Sequence, residues 1–428
     1  MSHRSTPSAI RRAATASAWS LVIGLAACGG GGGGTDVVAP PPDAAALAVS
    51  RPGELLDSVR TRVRSRLAAG GSVPVSTAAP GLVLTAGAAG DLSVRSATTV
   101  QEPGIDEQDL VKTDGQLVYS LDTVARDAGG RPTPRLQAHR LNGTGGLDRT
   151  ASLDVAVEGQ SYPVWQGLYL SEAARRIAMV AETVSFVGLP CGPSVDCPAG
   201  LSLAPNPGSV RSEVLIDLAE APVDGSLRTL PRVALSGRLV GTRLIGQTLV
   251  VVSSHAPALP VDRLPASATP ADREAALAAL STADVLPTLR RGQAAARPLV
   301  RDTDCYLQAA NASFAVELTT VSLFDLSRPE ADPVSRCIVG GSEALYLSPR
   351  SLYLATTRTV YTQTGDSLVY PAEMRTDLHK FVLDGGVPTY RASGSVGGHL
   401  GWDRLRKPYR LSEHNGDLRV LSFTGQEG

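Results

Sequence analysis

The side chains best placed to do chemistry come early in the chain, in Val100-Gln-Glu-Pro-Gly-Ile-Asp-Glu-Gln-Asp109. Asp106, Glu107 and Asp109 crowd carboxylates into one short turn. A hard cation such as Ca²⁺ takes several carboxylate and carbonyl oxygens from such a turn, so this trio is the candidate metal site. Its spacing is not that of a known calcium loop. The alternative is structural: Asp106 and Asp109 accept hydrogen bonds from backbone amides in the turn that launches the next strand.

Other chemistry is hard to find. His139, His255, His379, His399 and His414 stand singly, without the i, i+2 or i, i+4 pairs of a zinc or non-haem iron site. There is no Gly-x-Ser-x-Gly elbow to present a serine nucleophile. The glycine run Gly29 to Gly34 has no strand before it and no helix after it, so it is no phosphate loop. Asn311-Ala-Ser313 fits a glycosylation sequon, a pattern too common to point to chemistry by itself. No catalytic residue and no resident cofactor is expected; Ca²⁺ is the one ion considered.

The elements that must position these residues follow from composition. A 428-residue chain with 43% apolar residues can bury a large core as one repeat domain or two ordinary ones. Gly 43 and Pro 30 beside 4% aromatics suit many short strands joined by turns. The formal charge is −1, and the arginines are scattered, which argues against a nucleic-acid partner. Only Lys112, Lys380 and Lys407 are lysines.

Residues 1–27 read as a signal peptide: Arg4, Arg11 and Arg12, then an apolar run from Ala13 to Gly24 too short to span a bilayer. The run ends Leu25-Ala-Ala-Cys28-Gly29, which resembles a bacterial lipoprotein cleavage box, in which Cys28 becomes the lipidated first residue. Residues 28–50 then form a Gly/Pro-rich tether, with Gly29 to Gly34 flexible and Pro40-Pro-Pro42 stiff. The expected location is the bacterial envelope, anchored by lipid to the outer membrane or the cell surface.

Residues 51–97 are a helical arm and linker. Leu55, Leu56, Val59, Val63 and Leu67 share one helical face with arginines opposite, and that stripe is expected to pack on the following domain, a lipid surface being the alternative. Export places Cys191, Cys197, Cys305 and Cys337 in an oxidising compartment. Cys191 and Cys197 bracket a short loop and should pair, which leaves Cys305 with Cys337.

From residue 98 onward one hairpin recurs. It appears at Leu110–Tyr119, Leu168–Met179, Thr242–Val251, Leu345–Leu354 and Tyr409–Val420, each an apolar strand, a polar or glycine turn and an alternating strand. A second unit, a strand ending near an aspartate, lies between them, as at Val214–Leu218, Val321–Leu326 and Leu378–Asp384. Two hairpins make a four-stranded antiparallel blade, so the fold class is all-β, a β-propeller over residues 98–428 with a short N-terminal helix. A β-sandwich would explain the strands but not the return of one hairpin with one turn chemistry. Loop insertions at 184–212 and 256–304 stretch the spacing; Thr269-Pro-Ala-Asp begins a short helix in the second.

Val100–Gly115 closely resembles the opening signature of a bacterial secreted β-propeller family distantly related to WD40 repeats. Asp304-Cys-Tyr306 and Tyr409–Val420 resemble its later landmarks. The resemblance implies fold and export, and supplies no catalytic residues. Relatives extend well past the last landmark, so the propeller is expected to be incomplete at its C-terminus. Two functions remain. One is a membrane-tethered binding or scaffolding module for an envelope protein or ligand; the other is a propeller hydrolase or lactonase with a metal in the central channel. The second needs inward acidic residues at matching positions of several blades, and no such repetition is visible.

Overall fold

The computed structural model describes residues 45–68, 100–157, 163–186, 210–265, 267–308, 316–364 and 367–425. Cys28, Cys191, Cys197, the signal peptide and most of the tether and linker therefore lie outside the described residues.

The chain opens with β1 (Leu47–Val49) and α1 (Glu54–Ala68). A first sheet is the meander β2 (Val111–Thr113), β3 (Leu117–Asp122), β4 (Arg135–Leu141) and β5 (Leu147–Asp154). A second begins with β6 (Val164–Ser171), β7 (Arg176–Phe186), β8 (Val210–Glu220), β9 (Arg228–Thr229) and β10 (Val233–Ser236). The third starts with the pair β11 (Arg238–Ile245) and β12 (Thr248–His255). After β12 the insertion supplies α2 (Pro270–Ala278), β13 (Thr288–Arg291), β14 (Arg297–Pro298) and β15 (Cys305–Gln308). The chain then returns through β16 (Leu318–Asp325) and β17 (Val334–Val339). A fourth sheet is β18 (Ala344–Leu347), β19 (Ser351–Thr364), β20 (Ser367–Val382) and β21 (Thr389–Gly397); β22 (Leu411–His414) and β23 (Asp417–Val420) begin a fifth.

Every sheet opens with one of the recurrent hairpins. In β3, Leu117, Tyr119 and Leu121 alternate inward against Leu136 and Ala138, while the intervening residues are only partly covered. Strand β12 has no such alternation, because Leu249 and Val251 pack toward the second sheet and Val250 and Val252 toward the fourth. Burial on both faces is why it reads as a continuous apolar run.

The insertion at 256–304 is a clamp. Its strands β13 and β14 return to the outer edge of the second sheet through β10, while β15 joins the third sheet parallel to β17. Its helix α2 is capped by Thr269 and Asp272 in a reciprocal box. Helix α1 buries Leu55, Val59 and Val63 with Leu259, Val261, Leu277 and Leu280 of this clamp, the packing expected of its apolar stripe. Burying each such side chain is worth about 1.5–3 kcal/mol. One boundary moves. Leu47–Val49, within the stretch expected to be tether, pair with β15 as the last strand of the third sheet.

Candidate functional site

Segment 101–110 has no regular structure, yet it touches the first strand of every other sheet. Gln101 Nε2 donates to the carbonyls of Pro408 (2.9 Å) and Leu411 (3.0 Å) at β22. Glu102 Oε1 accepts from the Tyr346 hydroxyl of β18 at 2.5 Å. Asp106 and Leu244 of β11 exchange two backbone bonds, of 2.8 and 3.0 Å. Asp109 O accepts from Leu168 N of β6 at 2.7 Å, and the chain then enters β2. The acidic segment is the hub on which the five sheets meet.

Sequence makes that approach possible at Gly167. A Cβ there would lie 2.8 Å from Asp109 N and 2.9 Å from Asp109 O, and its φ of +154° suits glycine. A bulge between Trp165 and Gly167 lets β6 make room. Strand β11 repeats the device, with its own irregularity between Leu239 and Gly241 and with Gly241 packed on Leu345 of β18.

The carboxylates do not converge. Asp106 Oδ1 accepts from Lys112 Nζ at 2.6 Å, and the same ammonium donates to Glu107 O at 2.7 Å. Burial raises the Asp106 carboxyl above its usual range, and Lys112 only partly opposes that. Glu107 faces the other way, 3.4 Å from Arg243 and 3.0 Å from the Tyr409 hydroxyl. Asp109 Oδ1 accepts from Leu110 N at 2.7 Å, as a turn aspartate should. For Asp106 the expected amide partner is joined and outranked by a lysine, the residue that sequence reasoning missed. Its signal was present: one of only three lysines lies inside the signature.

Around this hub several buried hydroxyls are paired. The Tyr169 hydroxyl meets Thr242 Oγ1 at 2.7 Å, and Thr242 donates to Gln108 Oε1 at 3.3 Å. Burial pushes the Tyr169 phenol up. Tyr346 accepts from Glu413 N at 2.6 Å while donating to Glu102; burial, then the Glu102 carboxylate, push its phenol up. Among the described residues, no three His, Cys, Asp or Glu side chains come together as a metal site would require.

Four residues singled out in the sequence lie away from the hub. Cys305 and Cys337 are register partners in the parallel pair β15 and β17, and their Sγ atoms are bonded. His379 is buried, with Nδ1 2.7 Å from Ser393 Oγ, and His399 accepts from Gly401 N at 2.9 Å.

Comparison with known proteins places this geometry. Among curated proteins, none matches the chain. Similar solved structures include a chimera of apocarotenoid oxygenase (ACO) with RPE65, at 13% identity and a TM-score of 0.27 over 72% of this chain and 52% of that one. A variant of the Synechocystis apocarotenoid oxygenase follows at 13% and 0.26, over 72% and 53%. The cobalt-substituted Synechocystis enzyme stands at 11% and 0.25, over 70% and 50%. This chain thus spans about half the length of each, and TM-scores so low carry no inference about chemistry. The family model described as beta propeller domain matches residues 95–427, from just before the hub to beyond β23. With every sheet opened by the same hairpin and all of them meeting on one segment, the chain belongs to the beta propeller domain family.

Proposed function

We propose that this protein is a lipid-anchored propeller of the bacterial envelope that binds or scaffolds another envelope component. The observation that carries this reading is the use of the hub's own acids. Asp106, Glu107 and Asp109 are spent on Lys112, Arg243, Tyr409 and the Leu110 amide, which holds the sheets together instead of offering a reactive centre. A wide rigid body of this kind presents its loops and outer surfaces for contact. The clamp around α1 and α2 is one such surface, with Ala275 and Ala278 exposed on α2. The cleavage box at Cys28 and the spacer after it support tethering.

The test combines location and capture. Photo-crosslinking side chains placed at Ala275 and Ala278 in intact envelopes should give discrete protein adducts. Replacing Cys28 by Ser should move the protein from the membrane to the soluble fraction. The binding reading fails if neither position yields an adduct and the purified protein hydrolyses lactones or esters in a Ca²⁺-dependent manner.

A further inference from the structure

We infer that β1 is an acid-released latch, held to the propeller by a chain of hydrogen bonds that ends on His379. Ser50 N donates to Cys305 O at 2.8 Å. In an antiparallel ladder of that phase the amides of Ala48 and Ser50 face β15, and those of Leu47 and Val49 face away. Leu47 N finds its acceptor in the Tyr390 hydroxyl of β21, at 3.1 Å. Tyr390 Oη lies 2.9 Å from Ser393 Oγ, which lies 2.7 Å from His379 Nδ1. An amide can only donate, so one arrangement gives every proton of the chain an acceptor. Leu47 donates to Tyr390, Tyr390 to Ser393, and Ser393 to the bare Nδ1 of a neutral ring.

Protonating Nδ1 reverses the last link. Ser393 must then accept from the ring, its own hydrogen turns to Tyr390, and the phenolic hydrogen is left with Leu47 N, another donor. The cation is also costly where it stands, because the ring is buried. Asp377 of β20 favours it, but that carboxylate is already held by Arg358 of β19 at 2.9 Å and Gln308 of β15 at 2.7 Å. Strands β16 and β17 bring Thr319 and Ile338 beside the ring, and Tyr306 of β15 packs on Tyr390. Lys380 lies over Tyr353, Arg391 of β21 is exposed, and β1 itself carries no ionisable side chain. The element with least to hold it is β1, three residues at the edge of its sheet. Helix α1 stays docked, because Arg60 donates to the carbonyls of Leu277, Ala278 and Leu280 beside a buried apolar stripe, and none of these contacts titrates in this range. In the tethered protein, a step that rests on the reading above, freeing residues 45–50 adds about 20 Å to the reach of the anchor.

Hydrogen exchange on the purified chain at pH 7 and about pH 4.5 tests this, with rates corrected for the intrinsic pH dependence of exchange. Protection of the Leu47, Ala48 and Ser50 amides should fall roughly tenfold or more at the lower pH. That fall should exceed any change at Val250 and Val252 of β12, which are fully buried and report the core. His379→Gln takes up no proton and should hold the β1 amides equally at both pH values. Tyr390→Phe removes the acceptor and should leave Leu47 open at pH 7 as well, with β12 unchanged. The inference is overturned if native β1 is equally protected at both pH values, or if His379→Gln keeps the native pH dependence. Native protection of Leu47 at pH 7 in Tyr390→Phe overturns it too. None of these readouts involves a membrane, so the latch and the anchor fail separately.

Discussion

The ammonium of Lys112 lies 2.6 Å from Asp106 Oδ1 and 2.7 Å from the carbonyl of Glu107, inside the hub and 6% exposed. A lysine so placed is tolerated because it has an acid and a carbonyl to itself. Removing it strands a half-buried carboxylate. Lys112→Met should destabilise the protein by about 3–5 kcal/mol in denaturant unfolding. Adding Asp106→Leu to that variant should recover part of the loss, because the pair costs desolvation that neither apolar side chain bears. A single variant within about 0.5 kcal/mol of the native protein would show that the pair holds nothing.

The second prediction tests how closely the hub segment approaches β6. A methyl group at Gly167 would meet Asp109 N and O at 2.8 and 2.9 Å, and backbone on both sides cannot swing away as a side chain could. Gly167→Ala should cost at least about 2 kcal/mol, from overpacking and from the positive φ together. Gly130→Ala is the control, with a positive φ and nothing within 4 Å, so its loss should reflect backbone strain alone, about 1 kcal/mol. Equal losses at the two sites would mean that the contact with Asp109 is loose.

Much of this architecture was legible in the residues. Leu117, Ile177, Leu249, Leu352 and Leu418 each fall in the second strand of a sheet-opening hairpin, because alternation and turn chemistry are local properties. What stayed hidden was non-local. Strands β13 and β14 leave the third hairpin to join the second sheet, and β1 pairs with β15 across more than 250 residues of chain. Pieces of two to four residues carry too little pattern to announce a partner. The hub was harder still, since Gln101 to Leu110 has no period and its contacts with β11 and β6 run through backbone atoms. The acids were visible there; the lysine that answers them follows only once β2 folds back beside the turn.

The third prediction concerns Cys305 and Cys337, which join the clamp to the core of the third sheet. Both are fully buried among Leu318, Val316 and Val339, so the bond is shielded from thiols in the folded state. It closes a 32-residue separation, which chain entropy values at about 3–4 kcal/mol. Cys337→Ser should lower stability by that amount while leaving the propeller folded, and β1 and α1 should become the first segments to exchange amide hydrogen. Peptide mapping without reductant should recover a Cys305–Cys337 crosslink. A crosslink from either cysteine to Cys191 or Cys197 would contradict the fold.

The last prediction is a pH dependence whose sign follows from His379. Its ring is 2% exposed between β19 and β21, with Nδ1 2.7 Å from Ser393 Oγ, and Ser393 in turn meets the Tyr390 hydroxyl at 2.9 Å. That hydroxyl accepts from Leu47 N at 3.1 Å, so the histidine sits behind the docking point of β1. Burial lowers its pKa to about 4; Asp377 favours the charged form and Arg358 opposes it. The neutral ring is thus the folded form. Between about pH 6.5 and pH 4 the unfolded chain takes a proton at this position and the folded chain does not, so stability falls as the pH falls. The loss for this one group is on the order of 3 kcal/mol across the window and levels off below it. His379→Gln keeps a polar group for Ser393 and removes the titration, so its unfolding free energy should vary less steeply with pH by that amount. His255, also lowered to about 4 by burial, adds a second contribution of the same sign, while the Asp106 carboxyl, raised by burial, works against both. If the substitution leaves the slope unchanged, His379 is not held neutral by the fold.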